Sequence, residues 1–76
     1  MKTVVRSSVD IGAAIRQKRK ADGLTLADAA DLCNVNYRFL SDLENGKATA
    51  QLGKVLQTLH ALGIEIELKD RTWQHE

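Results

Sequence analysis

Residues 25–46 read TLADAADLCNVNYRFLSDLENG and predict two short helices joined by a tight turn. Thr25 is followed three residues later by Asp28, a pattern typical of a helix N-terminus. Asn36 is a favourable cap for the second helix because its side-chain oxygen can accept from the first free backbone N–H groups. Between the helices, Asn34 tolerates the left-handed backbone better than most residues. The stretch therefore predicts a helix, a turn and a helix in close contact.

The apolar residues of this stretch indicate how the two helices face each other. In the first helix, Ala29, Ala30 and Leu32 form the expected inner face, which brings the second helix close. In the second helix, Leu40 and Leu43 point inward at a spacing of three residues. The outward positions of that helix are polar or aromatic: Tyr37, Arg38, Ser41, Asp42 and Asn45. Its exposed side therefore carries donors, acceptors and one cation.

Length and composition predict one small all-α domain. A chain of 76 residues buries only about 60% of its unfolded surface, so we expect oligomerisation to add stability. Cys33 is the single cysteine, which excludes an internal disulfide and suits the reducing cytoplasm. No apolar run approaches the roughly 20 residues of a membrane span, and no secretory signal is recognisable. We expect a cytoplasmic protein without a cofactor or metal.

The net charge of +1 is low for a nucleic-acid-binding protein, so the distribution of charge matters more. Four cations cluster late in the first helix of the chain: Arg16, Lys18, Arg19 and Lys20. Arg38 and Lys47 lie around the second helix of the motif. The first cluster is open to two interpretations, a binding surface or an ordinary solvated helix face.

Two further helices flank the motif. Ser7 and Asp10 predict a helix start, and the helix should run to about Asp22 before Gly23 ends it. After Gly46, a helix capped by Thr49 or a neighbour should run to about Leu62. Its apolar residues recur at three and four positions and should close the core: Leu52, Val55, Leu56, Leu59 and Leu62. The result is a four- to five-helix domain.

The hydrophobic period then changes from 3.6 to 2 and predicts one amphipathic β-strand. Ile64, Ile66 and Leu68 share one face, with glutamates on the other. A lone strand needs a partner, and we expect the same strand of a second subunit across a two-fold axis. Pairing with residues 3–5 of the same chain is the competing possibility. The chain thus divides into an arm (1–6), a helical domain (7–63), a dimerisation strand (64–69) and a polar tail (70–76).

Trp73 is the one large apolar residue of the tail. It can fold back onto its own domain, remain free, or anchor a partner protein, because tryptophan is favoured at interface hot spots.

The central stretch resembles the helix-turn-helix of the Cro and phage-repressor family. The matching residues are Leu24, Thr25, Ala30, Val35, Leu40, Ser41, Glu44 and Gly46. Three residues depart from the family pattern: Leu26 stands in place of a phosphate-holding glutamine, Ala29 in place of a larger apolar residue, and Asn34 in place of the turn glycine. The resemblance also implies that Arg19 and Glu44 form a structural ion pair between the first helix and the recognition helix.

The resemblance implies sequence-specific binding of duplex DNA, with the second helix of the motif in the major groove. Arg38 would donate to guanine, and Tyr37 would touch thymine methyl groups or phosphate. One turn further along lie Ser41, a donor and acceptor, and Asp42, which would accept from cytosine or repel misplaced phosphates. Phosphate contacts would come from Asn45, Lys47, the cap Asn36 and the backbone near Thr25. Phe39 either packs at the core edge or contacts the groove.

Within this family, the domain followed directly by a strand is similar to antitoxins of the HipB type. That similarity implies a homodimer that represses its own operon and sequesters a HipA-type serine/threonine kinase toxin. The alternative is a protein-interaction module or stand-alone regulator with the same fold and no toxin partner. No arrangement of nucleophile, base or metal ligands points to an enzyme.

Overall fold

The computed structural model describes residues 2–70, which contain four helices. They are α1 (Ser8–Ala21), α2 (Leu26–Cys33), α3 (Tyr37–Glu44) and α4 (Leu52–Ala61). The predicted all-α class is confirmed, and residues 2–70 hold no strand. Within that range, no helix is long and apolar enough to cross a membrane.

The α2–turn–α3 unit forms as its sequence predicts. Thr25 Oγ1 accepts from the Asp28 backbone N–H at 3.0 Å, and Asn36 Oδ1 accepts from the Phe39 N–H at 2.7 Å. Asn34 ends α2 in the left-handed conformation, with φ 57° and ψ 44°. The two capping side chains and the left-handed backbone of Asn34 fix where α2 begins, where the chain turns and where α3 begins.

The start of α1 is capped differently from the prediction. Ser7 occupies the cap position, but its hydroxyl makes no capping hydrogen bond. Asp10 instead accepts from the Arg6 backbone N–H at 2.8 Å, and the Ser8 hydroxyl donates to the Gly46 carbonyl at 2.8 Å. The second bond ties the start of α1 to the end of α3.

One buried cluster of apolar side chains joins all four helices. Ile15 and Leu40 are completely buried at its centre. The other members are Ala29, Ala30, Cys33, Leu43, Val55, Leu59 and Leu62. The small alanines of α2 allow α3 to pack closely, as the sequence predicts.

Three leucines assigned to the core are exposed instead. Leu32 is 56% exposed, Leu52 67% and Leu56 46%. In α2, Cys33 takes the inner position, and in α4 the inner face runs through Val55, Leu59 and Leu62. A wide apolar stripe does not specify which of its edges meets the core, so the two α4 leucines lie on the outer edge.

Thr58 takes the remaining inner position of α4 and is completely buried. Its hydroxyl donates to the Lys54 carbonyl at 2.8 Å, so the polar group has a partner inside the helix. The start of α4 also differs from the prediction, because Gln51 rather than Thr49 is the residue at the cap, and it makes no side-chain capping bond.

Helices α1 and α3 meet at Gly12. A Cβ atom at Gly12 would lie 2.3 Å from the Leu43 carbonyl oxygen and 2.7 Å from that of Glu44. Since real Cβ atoms do not approach carbonyls that closely, only glycine permits this helix–helix distance. The close contact sets the position of α3 relative to the longest helix of the chain.

Helix α4 is attached to the turn of the motif through one side chain. The Gln57 amide donates to the Cys33 carbonyl at 2.8 Å and to the Asn34 carbonyl at 3.2 Å. These carbonyls are at the C-terminus of α2, where a helix lacks internal donors. Gln57 therefore stabilises the turn from outside the motif.

The segment after α4 belongs to no helix or strand within residues 2–70. Ile64 is half-buried against the core, whereas Ile66 is 52% and Leu68 93% exposed. Residues 3–5 likewise form no strand, so they do not pair with this segment as a sheet. Pairing across a dimer involves a second chain, so it stays a prediction.

Candidate nucleic-acid interface

The outward face of α3 presents the residues expected to read DNA. Tyr37 is 57% exposed, and the Arg38 side chain is 85% exposed. Ser41 and Asp42, one turn further along, are half-buried. Leu40 and Leu43 on the opposite side are buried in the core. The helix is thus anchored along one side and offers polar groups along the other.

Both helix N-termini of the motif are held by side-chain caps on exposed residues. Thr25 and Asn36 each use one oxygen for the cap. The Asn36 amide NH₂ is a donor group that the cap does not use. The unpaired N–H groups and the dipole of a helix N-terminus attract anions, so both positions suit a phosphate.

Asp42 forms ion pairs with both cations expected at the interface. Its Oδ1 lies 3.3 Å from Arg38 Nε, and its Oδ2 lies 3.7 Å from Lys47 Nζ. The Arg38 pair has the i, i+4 spacing of helix surface pairs. All three residues were identified from the sequence, but the contacts of Asp42 with the two cations were not. The i, i+4 spacing could have indicated the Arg38 contact.

An open groove of about 260 Å³ lies beside this network, between α3 and the loop that leads to α4. Its lining includes Asn36, Arg38, Phe39, Asp42, Lys47 and Thr49. Phe39 itself packs against the core edge, and Lys54 Nζ lies 5.7 Å from its ring centroid. Phe39 therefore packs at the core edge and also lines the groove, and its contact with DNA stays a prediction.

Asn45, expected to reach a phosphate, is exposed, but its side-chain oxygen has a partner. Arg16 donates to Asn45 Oδ1 at 3.1 Å. The bond holds the Asn45 amide beside α1 at the C-terminus of α3. The contribution of Arg16 was missed in the sequence, where it was grouped with the basic cluster of α1.

Glu44 forms a second network, which is buried. Its Oε2 lies 2.6 Å from Arg19 Nε, and its Oε1 accepts from Arg19 at 3.0 Å and from Arg16 at 3.3 Å. Arg19 also donates to the Leu24 carbonyl at 3.0 Å. The hydrogen bonds to Glu44 raise the pKa of Arg19, although burial acts in the opposite direction. The network joins α1, α3 and the loop that leads to α2.

Other predicted residues lie away from this surface. The apolar face of Ile64, Ile66 and Leu68 belongs to the segment after α4, and Trp73 lies outside the described residues. His60 is exposed on α4. In the part of the chain that the structure describes, no group of three His, Cys, Asp or Glu side chains could hold a metal.

A family model described as helix-turn-helix matches residues 15–69. The chain belongs to the helix-turn-helix family. This match spans the second half of α1, then α2, the turn, α3 and all of α4. The resemblance to the Cro and phage-repressor type of helix-turn-helix is therefore confirmed.

A curated relative and two solved structures extend the comparison. An uncharacterized HTH-type transcriptional regulator of Sinorhizobium fredii (strain NBRC 101917 / NGR234), y4mF, is 45% identical over 64 residues, covering 84% of each chain. The structures titled "HipB-O4 20mer complex" and "Structure of HipA-HipB-O2-O3 complex" each have a TM-score of 0.82 and 20% identity. Each match covers 93% of this chain and 100% of the chain in the solved structure. The helix-turn-helix chain is a transcriptional regulator by family and shares the HipB fold.

Proposed function

We propose that this regulator binds a specific sequence of duplex DNA as a homodimer and represses transcription. The observation that carries the proposal is the outer face of α3, where exposed Tyr37 and Arg38 stand beside Ser41 on a helix that is capped and anchored in the core. A major groove admits one α-helix, and each base pair there has its own donor and acceptor pattern.

The proposed roles follow from side-chain chemistry. Arg38 donates to the two acceptors of guanine, and Ser41 donates to or accepts from a neighbouring base. Tyr37 contacts a thymine methyl group or a phosphate. Phosphate contacts, which orient the protein on the duplex, come from Asn36, Asn45, Lys47 and the α2 N-terminus at Thr25.

The experiment is fluorescence anisotropy of a labelled duplex from the region upstream of the gene, compared with a scrambled duplex at one salt concentration. We expect a preference for the upstream duplex of roughly a thousandfold or more. Arg38→Ala should lower that preference by about ten- to a hundredfold. Lys20→Ala, which removes an exposed cation from α1, should leave the ratio unchanged. Equal binding to both duplexes by the unmodified protein contradicts the proposal.

Dimerisation is proposed to use the segment after α4. Ile66 and Leu68 are exposed in the single chain, while Ile64 anchors the start of the segment on the core. An antiparallel pair of these segments would cover the apolar face and satisfy the backbone groups. Ile66→Lys should therefore convert the dimer to a monomer in sedimentation velocity, whereas Glu65→Lys on the opposite face should not. If Ile66→Lys and Glu65→Lys are both monomeric, this arrangement of the dimer is contradicted.

We further propose that the regulator is an antitoxin that controls its own operon and binds a HipA-type kinase. Support comes from the shared fold with HipB, one of whose structures is titled as a complex with HipA. The proposal requires a neighbouring reading frame encoding such a kinase, whose toxicity this protein relieves on co-expression. Arg38→Ala should still relieve it. A functional operator without such a kinase would support the stand-alone regulator instead.

A further inference from the structure

The Asp42 carboxylate lies between the two cations that the proposed function assigns to DNA. Arg38 Nε is 3.3 Å from one oxygen, and Lys47 Nζ is 3.7 Å from the other. The Arg38 and Lys47 side chains are 85% and 53% exposed, and that of Asp42 is 31% exposed. All three groups are therefore within reach of solvent and of an approaching duplex.

We infer that Asp42 is an internal competitor of the DNA phosphates and thereby a specificity-determining residue. A carboxylate and a phosphate offer the same kind of anionic oxygen to an arginine or lysine. A phosphate that approaches Arg38 Nε, or the side of Lys47 Nζ that faces Asp42, must compete with this carboxylate. The inference rests on the proposed DNA binding and names which part of it Asp42 controls.

Reading a guanine does not incur the same competition. Asp42 contacts Arg38 through Nε, whereas two donors for guanine O6 and N7 are available on the terminal nitrogens of the guanidinium group. Asp42 can thus keep its bond to Arg38 and hold the guanidinium in place while the base is read. Competition then falls mainly on sequence-independent phosphate binding, and preorganisation favours the specific complex.

The low charge of the chain makes this competition important. The net charge is only +1 because ten acidic residues offset eleven Lys and Arg residues, so overall attraction to DNA is weak, and Asp42 neutralises part of the charge on the α3 face itself. Exposed ion pairs are individually weak, roughly 0.2–1 kcal/mol, so DNA can still displace Asp42. Asp42 therefore weakens binding to the wrong sequences without preventing it.

The test compares Asp42→Asn with Asp31→Asn. Both variants remove one negative charge, but Asp31 is exposed on α2 and has no ion pair within residues 2–70. Each protein is titrated by anisotropy with the upstream duplex and with a scrambled duplex at three salt concentrations. Circular dichroism verifies that each variant is folded.

We expect Asp42→Asn to bind the scrambled duplex about five- to tenfold more tightly than the unmodified protein, and the upstream duplex about two- to threefold more tightly, because Lys47 is released to phosphate on both duplexes. Its salt dependence on the scrambled duplex should steepen by about 0.9 in log K against log salt for each cation released to phosphate. Asp31→Asn should change the affinity for both duplexes by the same small factor.

The results separate this inference from the proposed function. If the unmodified protein prefers the upstream duplex and Asp42→Asn behaves like Asp31→Asn on the scrambled duplex, the inference is overturned and the proposed function stands. If neither the unmodified protein nor Asp42→Asn binds any duplex, both are overturned. An equal increase in affinity for the two duplexes also overturns the inference, because competition should act mainly on non-specific contacts.

Discussion

Two carboxylates on α3 each contact two cations, but at different depths. Glu44 contacts Arg16 and Arg19, and its side chain is 3% exposed. Asp42 contacts Arg38 and Lys47, and its side chain is 31% exposed. Side chains two residues apart on a helix are rotated by about 200° around its axis. Glu44 therefore faces α1, whereas Asp42 faces solvent.

The depth of each network determines what it does. A buried carboxylate without its cations would lack compensation for lost hydration, so the Glu44 network holds α1 and α3 together. An exposed carboxylate can exchange its cations for water or another anion at little cost, so the Asp42 network can respond to a ligand. Similar pairs of groups thus serve structure on one face of α3 and, in the proposed function, DNA binding on the other.

The largest expected effect is on folding stability when Glu44 is changed. Glu44→Gln should lower the free energy of unfolding by about 3 kcal/mol, because Arg19 stays charged in a buried position. Asp42→Asn should lower it by less than about 1 kcal/mol. Urea unfolding at a fixed protein concentration measures both. Equal losses from the two variants would contradict the distinction between the networks.

The next effect concerns the contact that brings Glu44 to α1. Gly12→Ala should destabilise the domain by about 1–3 kcal/mol, since its Cβ would overlap the Leu43 carbonyl. Gly53→Ala is the matched control in α4, where a Cβ would meet no atom within 4 Å. It should stabilise by about 0.5 kcal/mol through helix propensity. Thermal unfolding of both variants should show opposite signs, and shifts of the same sign would refute the close contact at Gly12.

A smaller effect separates stability from binding at the start of α3. Asn36→Ala should cost about 1 kcal/mol through loss of the cap. Asn36→Asp should keep the cap and the stability, because aspartate caps as well as asparagine, yet weaken DNA binding by repelling phosphate. Unfolding and anisotropy measurements on the two variants test this. Unchanged DNA affinity in Asn36→Asp would remove Asn36 from the phosphate contacts.

The smallest effect comes from Cys33 in the core. Burial raises the pKa of the Cys33 thiol above its ordinary value, so the unfolded chain loses this proton first as pH rises. Ionisation then favours the unfolded state, and the thiol's contribution to stability is lost above the unfolded pKa of about 8.5. The loss should be at most about 0.4 kcal/mol at pH 8.5. Cys33→Ala should lack this part of the pH dependence, measured by urea unfolding between pH 7 and 8.5; an identical dependence in both proteins would contradict it.

The helix-turn-helix unit could be predicted because its determinants are local. Thr25, Asn34 and Asn36 each act on backbone groups within a few residues, so their effect is readable from the sequence. The alanines of α2 and the leucines of α3 were assigned correctly for the same reason. Their spacing alone gives the face that they share.

The packing of α4 could not be predicted to the same degree. Leu52 and Leu56 are as apolar as Leu59, and only the docked position of α4 places them outside. Thr58 looks polar in sequence, and its burial depends on a hydrogen bond to Lys54 within the helix. Hydrophobic period identifies an amphipathic helix but not the rotation at which it docks.

Part of the candidate site escaped prediction because its contacts are shared. The family resemblance implies the Arg19–Glu44 pair, but not that Arg16 shares the same carboxylate from 28 residues away in the chain. Arg38 and Lys47 were each taken as free cations, although the single Asp42 contacts both. Pairing of this kind depends on where α1 and the loop after α3 lie.

The separation in sequence between Glu44 and its arginines has a consequence for the order of folding. Contacts inside α2, the turn and α3 close short loops, whereas the Arg16 and Arg19 contacts close loops of 28 and 25 residues. Loop-closure entropy favours local contacts early and distant ones late. We expect the α2–turn–α3 unit to be largely formed in the transition state, with Glu44 still hydrated. Desolvation of Glu44 by α1 would then belong to the final step, so that changes at Glu44 mainly accelerate unfolding.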